Sequence, residues 1–220
     1  MGLTMAKSGT RSTVRDRGGA RSAATRRILI EAAIETLKKE GFVGASARAI
    51  ADQAGANQSL IFYHFGSVAN LLLAALDAVS ADRFEQYDAA LSATGSLPEL
   101  VQTATDVFRT DLDAGYMTVL AEMIAGASTS PELGREVAAR IEPWRAFAHR
   151  AIEQTVGDAF DAVLPLADAA YAVVALYLGL ELLSHLDGDR QRALALFGHA
   201  QRLAQLATGL NGPGQQEGTP

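Results

Sequence analysis

The side chains best suited to chemistry in this chain cluster between Asn57 and His64. The amide of Gln58 can pair with the N6 and N7 atoms of an adenine edge. Ser59 or Leu60 could meet a thymine methyl, while Tyr63 and His64 suit phosphate oxygens. Signs of catalysis are scarce by comparison. The four histidines, His64, His149, His185 and His199, have no second ligand at helical metal spacing, so no metal is expected. There is no phosphate loop, no Gly-x-Ser-x-Gly and no dinucleotide fingerprint, and no cofactor is implied. Glu122 and Glu181 lie in apolar helical runs where burial could raise a carboxyl pKa; a place at the wet edge of a helix is the simpler account. An all-helical enzyme therefore has no positive support in the sequence.

The stretch that positions Gln58 and its neighbours is SARAIADQAGANQSLIFYHF, Ser46 to Phe65. Ser46 can cap a helix whose Ile50, Ala51 and Ala54 share one face. Gly55 suits a left-handed stop, and Asn57 can cap a following helix that buries Ile61 and Phe65. That leaves Gln58, Ser59, Tyr63, His64 and part of Leu60 outward. Helix, glycine turn and helix is the helix-turn-helix pattern, although an ordinary αα-hairpin has the same spacing. A preceding helix from about Ala23 to Glu40, capped by Ser22 or Thr25, carries Leu29, Ala32, Ala33, Thr36 and Leu37 as its inner stripe. Gly41 should end it, with Phe42 folding back on the core. Arg26 and Arg27 occupy its first turn, where cations oppose the helix dipole unless an anion is nearby.

Charge is distributed unevenly. The 220-residue chain has a net charge of −6 and no cysteine, which excludes disulfides and thiolate metal sites. Residues 1–70 hold ten Lys/Arg against five Asp/Glu, whereas residues 71–220 hold nine against twenty. A nucleic-acid-facing end on an acidic body would produce this asymmetry. Residues 1–22 are rich in Gly, Ser, Thr and Arg without apolar periodicity, and are expected to be a disordered basic arm. Lys7, Arg11, Arg15, Arg17 and Arg21 could contact DNA backbone or minor groove, or simply be a solvated tail. No apolar leader precedes them, and the richest apolar run, Tyr171 to Leu180, is too short to span a membrane. A soluble cytoplasmic protein is expected, with no membrane partner.

Several of these pieces stand in the register of a known family. Ala32-Ala33, Gly41-Phe42, Ile50-Ala51, Ala54-Gly55 and His64-Phe65 resemble the DNA-binding domain of the TetR family of bacterial regulators, over about Arg26 to Leu72. The resemblance implies a regulator that binds double-stranded operator DNA as a homodimer, most often a repressor released by a small-molecule effector. It places the start of the first helix near the DNA backbone. Arg26, Arg27, Ser46, Arg48, Asn57, Gln58, Ser59, Leu60, Tyr63 and His64 then become the expected DNA-contacting residues. The chain departs from the family at Phe62, where a tyrosine is usual, and at Val68, where a lysine is frequent. Neither Lys nor Arg occurs from Asp52 to Asp82, so attraction to phosphates must come from Arg26, Arg27, Arg48 and the arm. The alternative is a helical ligand-binding or enzymatic protein whose helix-turn-helix has degenerated.

Beyond Phe65 the periodicity predicts helices throughout. A long fourth helix is capped by Ser67 and runs to about Ala93, with Leu71, Leu72, Ala75, Val79 and Phe84 on its apolar face. A fifth, with Pro98 in its first turn, runs to a stop at Gly115. Further helices cover Tyr116 to Ala127, Ser130 to Val156 with Pro143 inside, Pro165 to Leu186, and Arg190 to Leu210. The expected fold is all-α. Residues 23–66 form a three-helix helix-turn-helix domain, 67–210 a helical ligand-binding and dimerisation domain, and 211–220 a disordered tail. Phe84, Phe108, Met117, Met123, Trp144, Phe147 and Tyr171 are candidate walls of a pocket for an apolar effector. The eighth helix is apolar nearly all round, which requires contact on more than one side. Leu178 and Leu182, with Leu194 and Phe197 of the ninth, are the expected dimer interface.

Overall fold

In the computed structural model, which describes residues 10–92, 94–114, 116–128, 130–156 and 164–210, every regular element is helical. These are α1 (Thr10–Gly44), α2 (Ala47–Ala54), α3 (Ser59–Phe65), α4 (Val68–Ser92), α5 (Leu97–Ala114), α6 (Tyr116–Ala127), α7 (Pro131–Val156), α8 (Leu166–Asp187) and α9 (Arg190–Leu210). Two compact units result, Met1–Ala78 and Val79–Pro220. The division falls inside α4, whose first turns pack with the N-terminal unit; the sequence had suggested residues 66–67. Residues 1–9, the stop at Gly115, the loop from Gly157 and the tail from Asn211 lie outside the described residues.

The N-terminal unit is built around the inner stripe of α1. Leu29, Ala32, Ala33, Thr36 and Leu37 are all buried, and the Thr36 hydroxyl returns its proton to the Ala32 carbonyl at 2.7 Å. Ile50 and Ala51 of α2, which packs on α1, are buried too, as are Ile61 and Phe65 of α3 and Leu71, Leu72, Ala75 and Leu76 of α4. Gly41 breaks α1 with φ 70° and ψ −179°, a conformation that a Cβ would oppose. One expectation is corrected: α1 begins at Thr10, so residues 10–22 are helical rather than a disordered arm. No proline interrupts Thr10 to Glu40, and a helix already nucleated by its packed half extends at one bond per residue.

In the C-terminal unit α8 packs on α7 and α6, and α9 on α5. Phe108, Val119, Met123, Leu133, Val137, Ala170, Leu180 and Ala193 are buried there. The helix starts follow local chemistry. Ser96 accepts from Glu99 N–H at 3.4 Å while the Glu99 carboxylate accepts from Gly95 N–H at 2.8 Å, a variant of the capping box. Pro98 sits where its missing N–H costs nothing, and α7 continues through Pro143. By length and composition α8 could cross a membrane. One face of it carries Glu181 and Ser184, buried against its own unit. Its other face is outward, with Leu176, Leu183 and Leu186 exposed. The expected interface is corrected in part. Leu194 and Phe197 are half-buried against the cluster of Phe108, Leu180 and Ala193, because α9 turns these positions toward its own unit. Leu178 is half-buried, and only Leu182 of the four is exposed.

Candidate functional site

The turn between α2 and α3 is fixed by capping at both ends. Ser46 Oγ accepts from Ala49 N–H at 3.2 Å, and Gly55 adopts the left-handed conformation (φ 59°, ψ 35°). The Gly55 and Ala56 amides then close onto the Asp52 and Ala51 carbonyls. Asn57 Oδ1 accepts from Ser59 N–H at 2.9 Å and so starts α3. Ser46 and Asn57 are thus engaged in holding the motif, while both remain exposed. At the far end Gly66 has φ 78°, and Ser67 Oγ caps α4 by accepting from Asn70 N–H at 3.1 Å.

With Ile61 and Phe65 buried, α3 turns Gln58, Ser59, Phe62 and Tyr63 outward. Leu60 and His64 are half-buried, and the His64 ring meets Tyr63 edge-on at 4.9 Å. Phe62 was missed in the sequence reading, which weighed only its lost hydroxyl. It lies four residues after Gln58 and three after Ser59, hence on the same strip, and its exposed ring is suited to a thymine methyl.

The three expected cations each have an intramolecular partner. Arg26 Nη1 donates to the His64 carbonyl at 2.8 Å, and its guanidinium lies 4.3 Å from the centre of the Phe65 ring. It therefore ties α1 to the C-terminus of α3, where a positive group complements the helix dipole. Arg27 pairs with Glu31 at 3.6 Å and Arg48 with Asp52 at 3.7 Å, both in exposed i,i+4 geometry. Such pairs are weak and can exchange for phosphate.

The C-terminal unit contains a polar centre that the sequence did not announce. Arg83 of α4 forks onto Asp111 of α5, with Nε donating to Oδ1 at 3.0 Å and Nη2 to Oδ2. The Tyr87 hydroxyl donates to Asp111 Oδ1, and the Tyr177 hydroxyl of α8 to Oδ2 at 2.5 Å. Glu181 stands beside them, with Oε1 3.7 Å from Arg83 Nη2. Arg83, Asp111 and Glu181 are all buried. Rings surround the guanidinium, with Trp144 at 5.3 Å, Tyr116 at 5.6 Å and Tyr87 at 5.8 Å. Burial works against the Arg83 charge, but Asp111 and Glu181 more than offset it and hold Arg83 above its ordinary range. Burial pushes Glu181 up to about 8, opposed by Arg83 and helped by Asp111. Burial raises both hydroxyl pKa values as well; Tyr87 is lifted further by its bond to Asp111, and Tyr177 by the charges of Glu181 and Asp111.

The expected pocket walls divide into groups. Phe84, Trp144 and Phe147 form one aromatic cluster, with centroids 5.2 to 6.3 Å apart. Phe108 joins Tyr177 and Phe197 instead. Met117 and Met123 are core residues. Tyr171 is corrected to a surface position, 60% exposed with Arg145 over its ring. The wet-edge account of Glu181 is corrected too. Glu181 follows Tyr177 by one turn, and Asp111 follows Phe108 by three residues, so both share the phase of buried aromatics. That phase was the available signal.

A capped helix-turn-helix with an outward strip on its second helix stands in a chain that also carries a separate helical unit. Residues 29–75 match the family described as bacterial regulatory proteins, tetR family. It is 33% identical over 93 residues to the HTH-type transcriptional repressor NicS of Pseudomonas putida, a match covering 42% of this chain and 40% of that relative's length. The fold resembles that of a TetR-family member from Streptomyces coelicolor, with TM-score 0.60, 24% identity and coverage of 80% and 97% of the two chains. It also resembles the transcriptional regulator FadR of Bacillus subtilis, solved with stearoyl-CoA, with TM-score 0.66, 13% identity and coverage of 81% and 96%.

Proposed function

We propose that this protein is an operator-binding transcriptional repressor released by a small molecule held in its C-terminal unit. The observation that carries the reading is the exposed strip Gln58, Ser59, Phe62 and Tyr63 on a helix capped at both ends. Such a strip fits a major groove, with Gln58 reading a base and Phe62 or Leu60 meeting thymine methyls. Tyr63, His64, Ser46 and Asn57 serve position, as do Arg27 and Arg48 once their carboxylate partners exchange for phosphates. The match to a repressor supports the sign of the regulation.

The acting species is a homodimer in the cytoplasm. Val173, Leu176, Leu183 and Leu186 of α8 and Leu196, Leu203 and Leu206 of α9 are exposed, an apolar stripe on two adjacent helices that a second copy would cover. A C₂ pair would present its recognition helices to half-sites about 34–36 Å apart, or a multiple of that. The effector enters among α4 to α8 and, through α4, alters the spacing of those helices. Its apolar body meets Phe84, Trp144 and Phe147, while the buried charges of Arg83, Asp111 and Glu181 amend the expectation of a wholly apolar ligand.

The test is fluorescence anisotropy with labelled duplex from upstream of the protein's own gene, beside selection from a random duplex pool. Saturable binding with a recovered two-fold-symmetric sequence is expected. Failure to enrich any sequence would overturn the reading.

A further inference from the structure

The two buried acids of the C-terminal unit are served unequally. Asp111 accepts from Arg83 Nε, Arg83 Nη2, the Tyr87 hydroxyl and the Tyr177 hydroxyl. A carboxylate offers about four acceptor sites, so Asp111 is saturated. Glu181 is fully buried, and as a carboxylate neither of its oxygens has a donor among the described residues; only its protonated form can donate, to the neighbouring Asp111. Arg83 Nη2, 3.7 Å away, is already committed to Asp111. A buried acid left without donors is costly, and one guanidinium does not neutralise two carboxylates. An anionic ligand would meet both acids, with the Arg83 fork already occupied. A cationic ligand would take the place of the proton that balances the unliganded cluster, and would supply the missing donors.

We propose that the effector is a small amine whose protonated nitrogen sits on the Glu181 carboxylate. This rests on the reading of the C-terminal unit as effector-controlled. The surroundings suit such a ligand. The rings of Tyr87, Tyr116 and Trp144 already cover the neighbouring guanidinium, and Tyr177 lies one turn from Glu181. Aromatic faces attract a desolvated cation and accommodate its apolar body. Titratable and charged neighbours come from each packed element: Arg83 and Tyr87 from α4, Asp111 from α5, Tyr116 from α6 and Tyr177 from α8. From α7 comes Trp144, and from α9 Phe197, both uncharged. Because burial lifts Glu181 to about 8, the unliganded cluster holds a proton at neutral pH, and the incoming ammonium displaces it.

The full-length protein is titrated with benzylamine, 2-phenylethylamine and hexylamine, and with the matching alcohols and carboxylates, by calorimetry and thermal unfolding. At least one amine should bind at least about tenfold more tightly than its alcohol and carboxylate counterparts. Calorimetry in two buffers of different ionisation enthalpy near pH 7 should report release of most of one proton per site. Glu181→Gln should abolish both the amine preference and the proton release. If that variant does not fold, proton release by the wild type decides. An alcohol or carboxylate that binds as tightly, amine binding without proton release, retained preference in E181Q, or no amine binding at all would overturn the proposal. Operator binding is followed separately. Amines that bind without releasing the operator would count against effector control and leave amine recognition standing. Operator release by a carboxylate alone would keep effector control and remove the amine.

Discussion

At the scale of single residues, Gln58 and Glu181 carry the sharpest predictions. Gln58→Ala should cost about 1–3 kcal/mol on the operator and relax preference at one base pair per half-site, because a bidentate amide–adenine pair is lost. A panel of single-base operator variants measures this, and uniform weakening across the panel would reassign Gln58 to backbone contact. Glu181 makes a prediction about pH. Its folded value, about 8, exceeds its ordinary 4.5, so the folded protein keeps a proton that the unfolded chain gives up between those values. The stability so gained is complete below about pH 4.5 and is lost as pH rises through 8. Relative to Glu181→Gln, the wild type should lose up to about 1.4 kcal/mol per pH unit across that window. Urea unfolding at several pH values tests it; a flat difference would mean that Glu181 stays ionised. The sequence showed both residues but could rank only one. Gln58 sits on an outward strip that periodicity alone defines. The burial of Glu181 depends on where Arg83 and Asp111 arrive from other helices, which no local pattern contains.

Among the elements, the helix-turn-helix was legible almost to the residue. Its caps are side chains acting on amides two or three positions away, so the code is local. Gly55→Ala tests that code in isolation. A Cβ there meets nothing within 4 Å, yet φ is +59°. The cost should therefore be conformational alone, about 1 kcal/mol in thermal or urea unfolding, and a neutral result would mean the turn relaxes. The start of α1 was not legible, because Thr10 to Arg21 has low apolar content and its helicity is borrowed from the packed half. Deleting residues 2–22 removes five cations and one acid. If two or three of those cations meet phosphates in each subunit, the slope of log K against log salt should shrink by roughly 4–5 for a dimer, with preference among operators unchanged. An unchanged slope would leave this segment without a role at DNA. The phase of α9 was misjudged for a third reason. Leu194, Leu196 and Phe197 are all apolar, and only the arrival of Phe108 and Leu180 selects which of them turn inward.

For the whole molecule, the exposed stripe on α8 and α9 predicts where the copies meet. Leu183→Glu or Leu203→Glu should give a folded monomer in sedimentation at micromolar concentration, since both side chains are exposed in the single chain. A wild type that is itself monomeric there would remove the interface. Gly179 lies between Leu176 and Leu183, and an added Cβ would meet nothing within 4 Å of its own chain, so the groove there stays open for a neighbouring helix. The pairing of Arg26, Arg27 and Arg48 within the chain has a consequence for search on a chromosome. Binding to random DNA is almost wholly a matter of free cations and phosphates. On the proposed reading, each phosphate that meets Arg27 or Arg48 must first displace Glu31 or Asp52, and residues 71–220 are acidic, so attraction to random DNA would be weaker than for free cations. Fewer copies would then be drawn away from the proposed operator, and after release by an effector fewer loosely bound copies would stand ready to refill it.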